Sequence, residues 1–112
     1  MVLYELICLT RAQLTDTTVR EIAKTAGATV INNGGVVRSI EDWGHRVLPK
    51  PIKKYQSKHD EARYFLMRFD TNPRVQKDLS LTIKLDPRVL RHSVVKLGER
   101  LDQIQLHKQP GS

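Results

Sequence analysis

Apolar residues change their spacing along this chain, and the order of those changes limits the fold more than any single residue does. Val2 to Leu9 is a β-rich run with Tyr4, Leu6 and Cys8 on one face and Leu3, Ile7 and Leu9 on the other. Apolar groups on both faces mark a central strand. Val19, Ile22, Ala23, Ala26 and Val30 then follow at helical spacing. Thr15 to Thr18 supply cap candidates, Thr18 with Glu21 fits a capping box, and Asn32-Asn33-Gly34-Gly35 is a stop. Gly27 weakens this helix by about 1 kcal/mol relative to alanine without ending it.

Val36 to Leu48 reads as a second strand, with Gly44 a bulge position, and Tyr64 to Asp70 as a third. Asn72-Pro73 starts a second helix striped by Val75, Leu79 and Ile83 and widened by Thr82, which Asp86-Pro87 closes. Val89 to Leu97 is a fourth strand. The order strand, helix, strand, strand, helix, strand predicts an α+β, ferredoxin-like split βαβ (βαββαβ) fold: a four-stranded antiparallel sheet with two helices on one face. Residues 1–98 form this domain, and residues 99–112 a polar tail, expected to be disordered beyond Leu106. The sheet face without helices must be solvated or covered by a partner.

Between the second and third strands the chain changes character. From Trp43 through Lys58 it holds Arg46, Lys50, Lys53, Lys54 and Lys58 and no carboxylate, while Pro49 and Pro51 exclude a helix and impose an extended, partly unpaired course. The net charge of +7 is similarly confined. Cations and anions balance over residues 1–35 and again over 101–112, so the excess lies between Val36 and Arg100. A localised positive field attracts a polyanion, and irregular cation spacing along an extended segment suits successive phosphates. Arg88, Arg91 and Lys96 add to the same half of the sequence. A solvated hairpin that keeps an edge from aggregating is the plainer alternative.

Other chemistry finds little support. The four histidines fall in separate segments without metal-ligand spacing, with His92 half-buried in a strand. Cys8 sits among apolar neighbours as a small buried hydrophobe, and as the lone cysteine it forms no internal disulfide. Glu41 and Asp42 are adjacent on a strand and face opposite ways. No glycine-rich phosphate loop, cofactor site or run of about 20 apolar residues is present. Three alternatives remain. An acylphosphatase-like hydrolase would use Arg11 with Asn32 or Asn33. An RNA recognition motif would stack bases on the third strand, yet Phe65, Met67 and Phe69 fit the face under the helices better. A small-ligand regulatory module would need a defined pocket.

Four motifs together resemble one family. Tyr4-Glu5-Leu6, then Gly44-x-Arg46-x-Leu48-x-x-Pro51-Ile52-x-Lys54, Tyr64-Phe65-Leu66 and Val94-Val95-Lys96 look like small-subunit ribosomal protein six, in order and at compatible spacing from Tyr4 to about Leu97. The resemblance implies the same split βαβ fold and no enzymatic activity. It also implies binding to the central domain of small-subunit rRNA as a heterodimer with ribosomal protein eighteen. By position, Arg46 and Lys54 match basic residues of the Pro-Ile motif, and Arg91 and Lys96 match basic residues of the last strand. Val47 and Lys50 depart from the bacterial pattern, where a second arginine and an aromatic are usual. The insertion from Tyr55 to Arg63 and the high basicity look like mitochondrial members, which implies a mitochondrial ribosome, with bacterial cytoplasm as the alternative. The first residues read as a strand of the fold, so an import address is expected to be uncleaved. The expected RNA-binding set is Arg46, Lys50, Lys53, Lys54, Lys58, Arg88, Arg91 and Lys96.

Overall fold

Both faces of β1 (Val2–Arg11) are apolar, and it lies inside a four-stranded sheet ordered β2-β3-β1-β4, with every pairing antiparallel. The computed structural model describes residues 1–98. Its other elements are α1 (Asp16–Asn32), β2 (Val36–Lys54), β3 (Ser57–Thr71), α2 (Pro73–Leu85) and β4 (Val89–Gly98). Tyr4, Leu6 and Cys8 meet Phe65, Met67 and Phe69 beneath the buried stripes of both helices, which forms the main core. The expected split βαβ architecture is therefore present, with both helices on one face.

The helix signals act mostly as expected. Asn72 caps α2, its side-chain oxygen accepting from the Val75 N–H at 2.9 Å. Thr15 caps α1 by accepting from the Thr18 N–H at 3.2 Å, so the helix starts a turn before the anticipated Thr18–Glu21 box. At its end, the Gly34 N–H donates to the Ile31 carbonyl (3.1 Å) and the Gly35 N–H to the Val30 carbonyl (2.8 Å). Gly34 takes φ +83°, which an L side chain rarely adopts. Thr82 is exposed and donates to the Asp78 carbonyl, so it does not widen the buried stripe of α2.

The largest correction concerns the basic connection. It is not a separate loop: β2 runs to Lys54 rather than Leu48, and β3 starts at Ser57 rather than Tyr64. The two strands form one long hairpin closed by Tyr55 and Gln56, both at positive φ (54° and 61°). Two successive positive φ values match the type I′ turn that suits strand twist. The prolines are accommodated by irregular pairing. Val47 pairs with Glu61 and Ile52 with His59, so five steps along β2 match two along β3, and Pro49 and Pro51 lie in the surplus. A residue without an N–H loses nothing where no partner strand is opposite.

Leu48 and Ile52, on this hairpin, pack with Ala62 and Leu90 in a second buried cluster flanked by Leu9 and Tyr64. Part of the sheet surface expected to need solvent or a partner is thus covered by the chain itself. A bulge at Trp43–Gly44 bends β2 before the hairpin; Gly44 has φ +70° and its N–H donates to Asp42 Oδ1 at 2.8 Å. The tail expected over residues 99–112 lies outside the described residues.

Candidate nucleic-acid interface

Strand pairing brings part of the predicted basic set together. Lys53 and Lys58 are direct partners across the hairpin, both exposed, next to the buried pair Ile52 and His59. Lys50 is exposed in the irregular stretch of β2, and Arg46 is exposed lower on the same strand, spending its Nε on the Trp43 carbonyl at 3.3 Å. Arg91 is exposed on β4 opposite Leu9, which flanks the hairpin cluster. Among the described residues, none of these five cations has a carboxylate partner.

The other three behave differently. Lys54 is half-buried, and its Nζ donates to the carbonyls of Leu90 (3.2 Å) and Val89 (3.5 Å), tying the hairpin tip to the start of β4. Its first role is structural. Arg88 folds onto Asp86, with Nη2 at 2.7 Å from Oδ2 and Nε at 3.0 Å from Oδ1. The hydrogen bond from Arg88 holds the Asp86 carboxyl below its usual range, and the same contact raises the guanidinium. Arg88 therefore brings little net charge to the surface. Lys96 pairs with Tyr4, on the face that carries the helices, and six steps along β4 place it about 20 Å from Leu90. Of the eight expected cations, five are gathered around the hairpin and the adjacent end of β4, while Lys54 and Arg88 are engaged by groups of the chain itself and Lys96 lies on the other face of the sheet.

Tyr55 and Arg63 had no assigned part in the sequence reading. The Tyr55 ring has the Arg11 guanidinium 5.2 Å and the Lys54 ammonium 5.3 Å from its centroid, distances at which a cation is attracted to the ring. Arg11 also donates from Nε to the Pro87 carbonyl at 3.0 Å. Arg63 is buried and joins Asp16 (2.5 Å) and Asp42 (3.2 Å), fastening the start of α1 to β2. Neither role has a local sequence signature, because each depends on residues distant along the chain.

The geometry disposes of the catalytic readings. Arg11 precedes α1, whereas Asn32 and Asn33 end it, and a 17-residue helix of about 25 Å separates them. Burial pushes the Cys8 thiol up to about 12, with the charge of Asp86 adding to the effect. A thiol whose ionisation is suppressed to that degree is not a nucleophile at neutral pH. Cys8 should therefore resist a thiol reagent in the native protein and react at once on denaturation; native-state labelling at the denatured rate would contradict this. The sign also gives a pH dependence: this contribution to stability is complete below about pH 9 and declines as pH rises from there toward 12. His92 is half-buried in β4, and its pKa is lowered by burial first and by Lys54 and Lys84 next, so it is neutral at pH 7. Phe65, Met67 and Phe69 are buried under the helices, and Tyr64, on the opposite face of that strand, is half-buried against the second cluster.

Comparison with known proteins agrees with this architecture. The family model described as Ribosomal protein S6 matches residues 3–96. A Neurospora crassa protein named small ribosomal subunit protein bS6m is 43% identical over 81 residues, covering 72% of this chain and 69% of the relative. Small ribosomal subunit protein bS6 from Aquifex aeolicus is 32% identical over 89 residues, covering 79% and 77%. The crystal structure of 30S ribosomal protein S6 from Thermotoga maritima superposes with a TM-score of 0.77 over 96% of this chain and 94% of that one; at 16% identity this supports the fold alone. The family is a structural component of the ribosome rather than an enzyme family. With the family pattern spanning nearly all of the described sheet and both helices, this chain belongs to the ribosomal protein S6 family.

Proposed function

We propose that this protein is a constituent of the mitochondrial small ribosomal subunit that binds the central domain of its rRNA and pairs with ribosomal protein eighteen. The observation that carries the RNA reading is the set of five exposed cations, Arg46, Lys50, Lys53, Lys58 and Arg91, without carboxylate partners among the described residues. Arg38 pairs with Asp70, Arg63 with Asp16 and Asp42, Arg68 with Glu5, and Arg88 with Asp86, while Arg20, Lys24, Arg74, Lys77 and Lys84, which also lack a carboxylate partner among the described residues, are spread over the two helices rather than gathered at one place. Five cations that form no ion pair among the described residues, gathered on one hairpin and the adjacent end of β4, make a local positive field that attracts a polyanion. Phosphate contacts of this kind fix position without reading sequence.

The mitochondrial assignment is supported by the Neurospora crassa relative, a mitochondrial ribosomal protein. The ordered hairpin over the insertion from Tyr55 to Arg63 supplies a body for the feature that resembles mitochondrial members. For the protein partner, a shallow cavity beside the β2 bulge is lined by Trp43, Arg46, Val47, Pro49 and Tyr64. Val47 there is 76% exposed, and an apolar surface next to the basic group suits a partner that binds the same RNA. Sedimentation of the endogenous protein from a mitochondrial lysate tests the assignment. It should comigrate with the small subunit and leave that position when the RNA is digested. Migration as a free small protein would contradict it.

A further inference from the structure

Lys53 and Lys58 are direct cross-strand partners at the hairpin end, where like charges repel. The turn beyond them is built from two non-glycine residues at positive φ, Tyr55 and Gln56, a conformation with its own cost. Asn-Gly would close such a turn with less strain. The turn is nevertheless held. Arg11 and Lys54 engage the Tyr55 ring, Lys54 donates to the Val89 and Leu90 carbonyls, and Ile52 anchors the strand in the second core cluster. Three features, two repelling ammonium groups, a strained turn and a rigid mount, meet at the tip, and neither lysine forms an ion pair among the described residues, although Asp60 and Glu61 follow Lys58 along β3 and line a cavity with it.

From this arrangement we infer that the hairpin tip is a preorganised clamp in which Lys53 and Lys58 together hold one phosphodiester group of the RNA backbone. The inference rests on the RNA-binding reading above and deepens it. Cross-strand neighbours have Cβ atoms roughly 5 Å apart, so two flexible ammonium groups can converge on the two free oxygens of a single phosphate. The anion removes the repulsion that the pair sustains alone, and the mounted turn means little order is lost on binding. Arg11 is a positioning residue: it fixes Tyr55 and touches no phosphate. The remaining exposed cations of the group, Lys50, Arg46 and Arg91, continue away from the clamp as a track for further phosphates.

The test is binding of the full chain to a transcript of the small-subunit rRNA central domain across a salt series. It compares wild type, Lys53→Gln, Lys58→Gln, the double variant, Arg11→Ala and an Arg46→Gln/Arg91→Gln control. A shared phosphate predicts that the double variant loses one contact, a drop in log–log slope of roughly 0.7–0.9, with the two single effects combining less than additively. Arg11→Ala should weaken binding several-fold at unchanged slope. Either single lysine variant should keep or raise the Tm of the free protein, because it relieves repulsion. A slope drop of roughly 1.4–1.8, the value for two separate phosphates, would overturn the clamp, as would no drop at all. If the control lowers the slope while the clamp variants do not, the clamp alone fails. If wild-type binding shows no salt dependence, the RNA-binding reading itself fails.

Discussion

Replacing Gly35 with alanine is expected to cost about 3 kcal/mol, at the upper end of the range for forcing a group into a packed site. A Cβ there would lie 2.5 Å from the Asp70 carbonyl oxygen and 2.7 Å from Val30 Cγ1. The first of these belongs to the β3 backbone, which cannot retreat without disturbing its pairing with Val36. The Val30 methyl belongs to a fully buried residue of the main core. For a domain of this size the loss corresponds to a fall in Tm of roughly 10–20 °C. Gly34 supplies the control. Its Cβ would meet nothing within 4 Å, so alanine there pays only for its positive φ, about 1 kcal/mol. Thermal unfolding of the two variants separates close packing from backbone conformation; equal losses would contradict the contact geometry.

Replacing Ile52 with alanine should release the hairpin while leaving the main sheet folded. Ile52 belongs to the small cluster with Leu48, Ala62 and Leu90, apart from the main core under the helices. Truncating a buried isoleucine costs about 2–5 kcal/mol, and here the loss falls on docking of one element rather than on global folding. Amide exchange around Ser57–Glu61 should accelerate at least about 30-fold, the equivalent of 2 kcal/mol, while the amides of β1 stay protected. RNA affinity should fall with it, because the lysines keep their charge but lose their fixed positions. Unchanged exchange in the hairpin would show that the second cluster does not hold it.

The contrast between the two clusters explains what could be read from sequence. Both helices were legible because local chemistry specifies them: the Asn72-Pro73 start, a threonine cap and a 3.6-residue apolar stripe ending at Asn33-Gly34. The hairpin was not. Pro49 and Pro51 argue against a strand, and only the irregular pairing with β3 reconciles them with one. Tyr55-Gln56 also lacks the glycine or asparagine that would announce a type I′ turn; it is fixed instead by Arg11, 44 positions earlier, and by Lys54.

The basic surface was legible in its charge and only partly in its layout. Counting along the sequence finds all eight cations, but not that Lys96 faces the helix side, which follows from pairing with Tyr4 between two irregularities in the β1–β4 register. The neutralisation of Arg88 was within reach, since its partner Asp86 stands two residues away across Pro87. The structural duty of Lys54 was not, because its acceptors are carbonyls on a strand 35 and 36 residues distant.

The salt dependence of rRNA binding tests the central claim most directly, since an electrostatic grip on a phosphate backbone releases counterions. Four or five neutralised phosphates predict a log–log slope of roughly −3 to −4.5, flattened toward zero when Arg46, Lys50, Lys53, Lys58 and Arg91 are all changed to glutamine. A wild-type slope near zero, or a slope that survives the loss of all five charges, would contradict the account.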